Sequence, residues 1–318
     1  MNDASLDKRF LVVAGKGGVG KSSVASALAL RSARAGRRTV VAELGARSSI
    51  PGLFGVEHSG YEPVQIADNL FTLHIEPDPA LHEYAMRKLK FESLFNLVFE
   101  NDGVRRFLDV IPGMNELLLL GKAFDLEREM ANGAPVWDSV IIDAPATGHG
   151  VSLLRLPQVI LEVIDHGPMA DEARRMRALL EDEQRTAMVI VTLLEEMPVR
   201  ETLELYQAAT QTLRMPMGPL VVNRVWPLDL DPEETASWLG YERSTELEPA
   251  LTRQLETLDG SLRRATWQRE LLRKLQGAIS SDPLLLPELP RGTFDQASVL
   301  SLTEKIEHAL APYPSAPS

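Results

Sequence analysis

The chain has 318 residues, of which 44% are hydrophobic; it carries a formal charge of −12 and contains no cysteine. Such a chain can bury a core of ordinary size, as one large domain or a domain with an insertion. The lack of cysteine excludes disulfides, thiolate zinc sites and thiol chemistry. The acidic balance argues against a nucleic-acid partner, because phosphate-binding surfaces are basic. Residues 1–9 hold no apolar segment of signal-peptide length, and no stretch approaches the roughly 18 apolar residues of a membrane span. A cytoplasmic location without a membrane span is therefore expected.

In chain order, β-rich apolar runs alternate with helical stretches: Phe10–Ala14, Thr39–Glu43, Leu70–Ile75, Val140–Asp143, Ala187–Val191, Leu220–Asn223 and Leu284–Leu286. The alternation predicts an α/β fold with a mostly parallel, doubly wound sheet flanked by helices. Two helical segments interrupt it. Between about residues 79 and 130, Leu81, Met86, Leu89, Leu94, Phe95, Val98, Phe99, Phe107 and Leu108 recur at helical spacing, with a break at Pro112-Gly113. This predicts an inserted helical subdomain. Between about residues 245 and 279, Leu251, Leu255, Leu258, Leu262 and Ala265 make one apolar seam. That seam predicts a long helix packed on a neighbour, with a free coiled coil as the alternative. The Pro/Ser-rich tail, 312–318, is expected to be disordered.

The stretch Gly15-Lys-Gly-Gly-Val-Gly-Lys-Ser22 fits the pattern G-x-x-x-x-G-K-[ST], directly after the first strand and before the helical run Ser23–Ala35. Glycines let the backbone turn tightly, so that the N–H groups of Gly15, Gly17, Gly18, Val19, Gly20, Lys21, Ser22 and Ser23 can face phosphate oxygens while the helix dipole adds positive potential. Lys21 should bridge the β- and γ-phosphates, and the Ser22 hydroxyl should ligate Mg²⁺. ATP and Mg²⁺ are the expected cofactors; the alternative is a glycine-rich turn without a ligand. A second lysine, Lys16, is one that ordinary phosphate loops do not require. At that point of the loop it resembles the deviant Walker A signature of dimeric ATPases such as MinD, nitrogenase iron protein and the arsenite-pump ATPase, in which it reaches the partner's nucleotide. Otherwise it is a solvated surface lysine.

The segment Asp143-Ala-Pro-Ala-Thr-Gly-His-Gly-Val-Ser-Leu-Leu-Arg-Leu-Pro157 resembles switch II of the family formed by the arsenite-pump ATPase and the targeting ATPase of tail-anchored membrane proteins. Further pieces resemble that family in the same order: Ile111–Glu116 its helical-domain motif, Glu201-Thr202 the pair opening a later helix, Val221–Arg224 the strand end whose asparagine reads adenine, and Pro287–Gly292 a loop beside the base. The resemblance covers about residues 10–300 and is specific at the phosphate loop and switch II. It implies adenine-binding roles for Asn223 and Pro287. The residues also have a physical reading of their own. Asp143 ends a buried strand and can hold a Mg²⁺-bound water near Ser22, unless it is a core-capping aspartate. Pro145, Gly148 and Gly150 make a loop able to rearrange with the γ-phosphate. Asn223 offers the donor and acceptor that an adenine edge needs, unless it is a turn asparagine. His149 reads as a local hydrogen-bonder rather than a catalyst.

The chain departs from that family in three places. The resemblance places Gly45 where the family's switch I carries its water-positioning aspartate, which makes Glu43 the nearest carboxylate and slow hydrolysis an expectation. Cysteines for a metalloid or for a zinc clamp are absent, so a dimer would be held by protein surface and nucleotide. The stretch from Leu156 to Arg185 is shorter than the family's helical insertion, although Leu94, Phe95, Leu97–Phe99 and Leu117–Leu120 could line an apolar client surface or form a local core. The leading expectation is an ATPase switch, a homodimer or a heterodimer with a paralogue, that handles a hydrophobic or membrane-protein client. The alternatives are a regulatory subunit paired with a related ATPase, the energising subunit of an anion pump, and a small-molecule kinase.

Overall fold

The computed structural model describes residues 3–45, 48–89, 113–226, 249–279, 282–290 and 292–311. Expectations for residues 94–108, 111–112, 245–248 and 312–318, and for the side chains of Leu89, His149, Leu251 and Leu255, lie outside the described residues. The strands are β1 (Phe10–Gly15), β2 (Thr39–Leu44), β3 (Val64–Ala67), β4 (Leu70–Ile75), β5 (Met130–Ala131), β6 (Ala134–Pro135), β7 (Ser139–Asp143), β8 (Thr186–Thr192), β9 (Met217–Val225) and β10 (Leu284–Pro287). Eight of them form one sheet in the order β10-β9-β8-β1-β7-β2-β4-β3, and β5 and β6 form a small separate ribbon. All pairings in the large sheet are parallel except β3 with β4. This is the expected α/β, mostly parallel sheet of a P-loop nucleotide-binding fold.

Continuous apolar runs become central strands because both faces are covered. Leu11 and Val13 of β1 face the layer of α1 (Lys21–Arg34) and α9 (Gln296–Leu310), whereas Phe10, Val12 and Ala14 face the opposite layer. That second layer holds α4 (Met114–Arg128), α5 (Thr147–Val163), α6 (Pro168–Leu180), α7 (Glu196–Gln207) and the long α8 (Pro249–Ala278). Each fully buried aliphatic side chain in these layers contributes about 1.5–3 kcal/mol. On α8 the inward residues are Ala265, Gln268, Leu271 and Leu275, and the Gln268 amide oxygen accepts a hydrogen bond from the Trp226 backbone at 2.9 Å. α8 packs against α7.

Two features had no sequence signal strong enough to find them. β3 is a half-buried edge strand, and the β5–β6 ribbon has two residues per strand. A third is an ion cluster at the N-terminal edge of the sheet, where the buried Glu127 at the end of α4 meets the partly exposed Arg9 at 3.5 Å and also Arg185. It ties α4 to the residues that lead into β1 and β8.

Candidate functional site

Parallel pairing brings the C-terminal ends of β2, β7, β1, β8 and β9 to one edge of the sheet, and the glycine-rich loop leaves from β1 at the centre of that edge. Gly15 lies opposite Val191 of β8, where a Cβ would come 2.2 Å from the Val191 carbonyl oxygen. Only glycine fits there. The chain then turns through Gly18 and Gly20, with φ of 88° and 93°, and enters α1 with Gly20 as its N-cap. The first-turn amides of α1 have no carbonyl partners within the helix and point toward the loop, a ready anion site.

Asn223 sits under this loop rather than at its rim. It is 6% exposed; its amide donates to the Val19 carbonyl at 2.9 Å, and its side-chain oxygen accepts from the Arg224 backbone at 3.0 Å. A Cβ on Gly20 would lie 2.3 Å from that amide nitrogen. The side chain is thus a strut between β9 and the loop. Asn223→Ala is expected to cost about 1–3 kcal/mol, because Val19 loses a buried partner, and to weaken ATP binding. Thermal unfolding and a nucleotide titration check both effects. Pro287, the other residue expected near adenine, ends β10 opposite Val225 and is exposed, two strands farther from β1 than β8 is.

Lys21 is largely buried, donates to the Lys16 carbonyl at 3.1 Å, and has its pKa lowered by desolvation, an effect that the nearby Asp143 charge opposes. Ser22 donates to Asp143 at 2.5 Å. Burial pushes the Asp143 carboxyl up to about 6, against the lowering effects of the Ser22 hydrogen bond and Lys21; Glu43, its neighbour across β2–β7, pushes the same way as burial. The second Asp143 oxygen is buried without a hydrogen-bond partner among the described residues. A hydroxyl beside a carboxylate with an unsatisfied oxygen suits a hard divalent cation that takes its remaining ligands from water and phosphate. The residues present therefore fit a hard divalent cation such as Mg²⁺.

Glu43 is occupied differently. One carboxylate oxygen accepts from the Ser49 backbone (2.6 Å), the Ser49 hydroxyl (2.9 Å) and the Ile50 backbone (3.1 Å), and the other accepts from Ser48 at 2.8 Å. The carboxylate caps the first turn of the short helix α2 (Ile50–Leu53). Gly45 has φ 120°, and its carbonyl contacts His74 Nε2. A side chain at position 45 would thus be strained as well as missing. His74 was not anticipated from sequence; its pairing with β2 through register Glu43–His74 is the signal that only the sheet supplies.

Lys16 Nζ bonds Glu201 of α7 at 2.8 Å, with both side chains partly exposed. A Cβ on Gly17 would stand 3.7 Å from Ala146, so the stretch after Asp143 abuts the loop. Away from the loop, α3 (Pro77–Leu89), α4, α5 and α6 enclose a mainly apolar cavity of about 190 Å³. Leu117, Leu118, Ile160 and Met176 line it, and Lys122 and Asp125 stand at its polar part. Leu119 and Leu120, by contrast, belong to the core.

A glycine-rich loop between a central parallel strand and a helix, with a lysine, a serine and an aspartate converging on it, defines a P-loop nucleotide-binding protein. The family model of the anion-transporting ATPases matches residues 8–167. ATPase BagA of Mycobacterium tuberculosis is 33% identical over 240 residues, covering 72% of this chain and 68% of that protein. The arsenical pump-driving ATPase of Acidiphilium multivorum is 26% identical over 309 residues, covering 89% of this chain but 46% of that protein. An Escherichia coli arsenical pump-driving ATPase is 26% identical over 255 residues, covering 74% of this chain and 43% of that protein. The chain belongs to the anion-transporting (ArsA-type) ATPase family and is a nucleotide-binding ATPase of that kind. Among the described residues no helix is long and apolar enough to cross a membrane.

Proposed function

We propose that this ATPase is a nucleotide-driven dimeric switch, in which ATP closes two copies over each other's phosphates and hydrolysis releases them, coupled to a hydrophobic or membrane-protein client. The observation that carries the reading is Lys16. It stands on the rim of the phosphate loop, and in this state its charge is held by Glu201 of the same chain. Reaching a second copy's nucleotide requires that pair to open, so the dimer competes with a partly exposed ion pair, which costs only about 0–1 kcal/mol to break. The apolar cavity among α3, α4, α5 and α6, with exposed Met169 in its wall, supports a hydrophobic client.

In the chemistry, Lys21 and the loop amides would bind and orient the phosphates, Ser22 and Asp143 would hold Mg²⁺, and the stretch after Asp143 would sense the γ-phosphate through its contact with the loop. Mg²⁺ would offset the charge that develops on the phosphate oxygens. Asn223 would read adenine through the second N–H and the free lone pair of its amide, while its present bonds keep the loop in place. Pro287 would border the base.

The test is sedimentation of the purified chain with Mg²⁺ and a non-hydrolysable ATP analogue: a shift to dimer supports the switch, and an unchanged monomer sinks it. Glu43 separates this reading from a regulatory subunit that lacks its own water-positioning group. With its carboxylate filled by Ser48, Ser49 and Ile50, Glu43 acts as a positioning residue for the start of α2. Glu43→Gln should then lower turnover about tenfold or less, since most of its hydrogen bonds have a neutral substitute. A loss of a thousandfold with ATP affinity intact would make it the water-positioning group instead. No turnover in the wild-type chain alone would favour the regulatory subunit.

A further inference from the structure

The cavity among α3, α4, α5 and α6 is held open by a residue that the helix itself does not require. Gly121 lies in the middle of α4, and its φ is not in the left-handed region that would call for glycine. A mid-helix glycine is destabilising relative to alanine. A Cβ at position 121 would nevertheless meet only the terminal methyl of Met176 outside the backbone of α4, at 3.8 Å, which is ordinary contact. Packing therefore does not forbid a side chain there, and the effect of its absence is to leave room. Protein interiors are close-packed, so an apolar space of about 190 Å³ is a departure that calls for an occupant. A dry apolar cavity of about 150 Å³ takes up benzene, and this one has room for a single ring with one small substituent. Tyr84 and Met169, each 42% exposed, line it and mark its mouth.

The charges at its polar end are already matched within the chain. Lys122 is paired to Glu83 at 2.7 Å and stands 4.5 Å from the centre of the Tyr61 ring. Asp125 is paired to Arg128 at 3.4 Å, and Glu172 is paired to Arg128 and, at 3.4 Å, to Arg175. A charged ligand would have to break one of these pairs after shedding its own water, which is costly. A neutral ligand leaves them intact, and one hydroxyl is enough to meet a carboxylate edge. Ile160 forms part of the wall from α5, and at the other end of that helix its N-cap, Ala146, abuts Gly17 of the phosphate loop. The structure assigns to this cavity a small neutral ring compound of about phenol size, an effector whose binding is felt at the phosphate loop through α5. Ligand and nucleotide then bias one shared helix, so each changes the other's affinity by the same factor. A helical client, about 10 Å across, reaches the cavity only with a side chain; the small-molecule ligand goes beyond the client reading above and stands without it.

Calorimetric titration of the full chain tests this, with phenol and cyclohexanol as neutral rings and benzoate and benzylammonium as charged ones, on the wild type, Gly121→Leu and Ile160→Phe. The neutral rings should bind the wild type, and the charged ones about tenfold or more weakly. Both variants should weaken phenol about tenfold or more, since each fills the space from a different helix. Gly121→Leu should melt no lower than the wild type, because leucine favours the helix and occupies a void. Phenol at saturation should change the Kd of a non-hydrolysable ATP analogue about fivefold in the wild type and leave it unmoved in Gly121→Leu. No binding of either neutral ring, or equal binding by all three chains, would overturn the site. Charged rings bound as tightly as phenol would overturn its neutral character, and an unmoved analogue affinity would overturn the coupling. A Gly121→Leu chain that melts well below the wild type would overturn the open cavity itself. Sedimentation keeps the dimer separate: a chain that dimerises with the analogue yet takes up no phenol sinks the cavity ligand and leaves the switch standing, and a monomer that binds phenol does the opposite.

Discussion

Lys21→Ala is expected to reduce Mg²⁺-dependent ATP turnover by about a thousandfold, the scale on which removing one preorganised charge from a phosphoryl-transfer site acts. The side chain is positioned for this by partial burial and by its bond to the Lys16 carbonyl. The fold should survive, because a desolvated ammonium is removed along with one hydrogen bond. A steady-state assay paired with thermal unfolding separates the two effects: turnover collapses while the midpoint moves by only a few degrees, as about 1 kcal/mol would cause in a domain of this size. Turnover that persists in Lys21→Ala would place the reactive phosphate somewhere other than this loop.

Asp143→Asn should do the reverse, making the nucleotide-free chain more stable and the enzyme inert. The folded state raises the Asp143 pKa from 3.8 to about 6, chiefly by burial. The folded chain therefore holds the proton more tightly than the unfolded one, and stability is greatest below the unfolded pKa. It falls as pH rises through about 6, leaving a buried charge that costs about 3 kcal/mol at neutral pH. Asparagine has no charge to bury. In EDTA at pH 7.5 the variant should melt several degrees above the wild type, and the two curves should converge as pH falls toward 4. With Mg²⁺ and ATP the order should invert, because the wild type alone gains from the metal. Equal melting at both pH values would mean that the carboxylate is solvated in solution.

The sheet was readable because its central strands are buried on both faces and therefore apolar without interruption, as in Val40-Val41-Ala42 and Val140-Ile141-Ile142. β3 escaped notice because an edge strand tolerates the polar Gln65. The phosphate loop was readable because steric need fixes its glycines in sequence. What surrounds it was not. Asn223 lies 204 residues from Val19 and Glu201 lies 185 from Lys16, so their contacts exist only after the chain has folded back. Glu43 shows the same limit: sequence supplied a carboxylate near the site, but only the position of Ser48, Ser49 and Ile50 shows where its lone pairs go.

The distances along the chain also set a timetable. β1 is sealed between β7 and β8, and its loop is propped by Asn223 on β9. About 210 residues must therefore leave the ribosome after β1 before the phosphate site can close, which at about 5–20 residues per second takes roughly 10–40 seconds. Until β7 emerges, Phe10–Gly15 is an apolar strand with both neighbours still to come, and a nascent chain halted before β8 would hold the whole glycine signature and yet no grip on ATP.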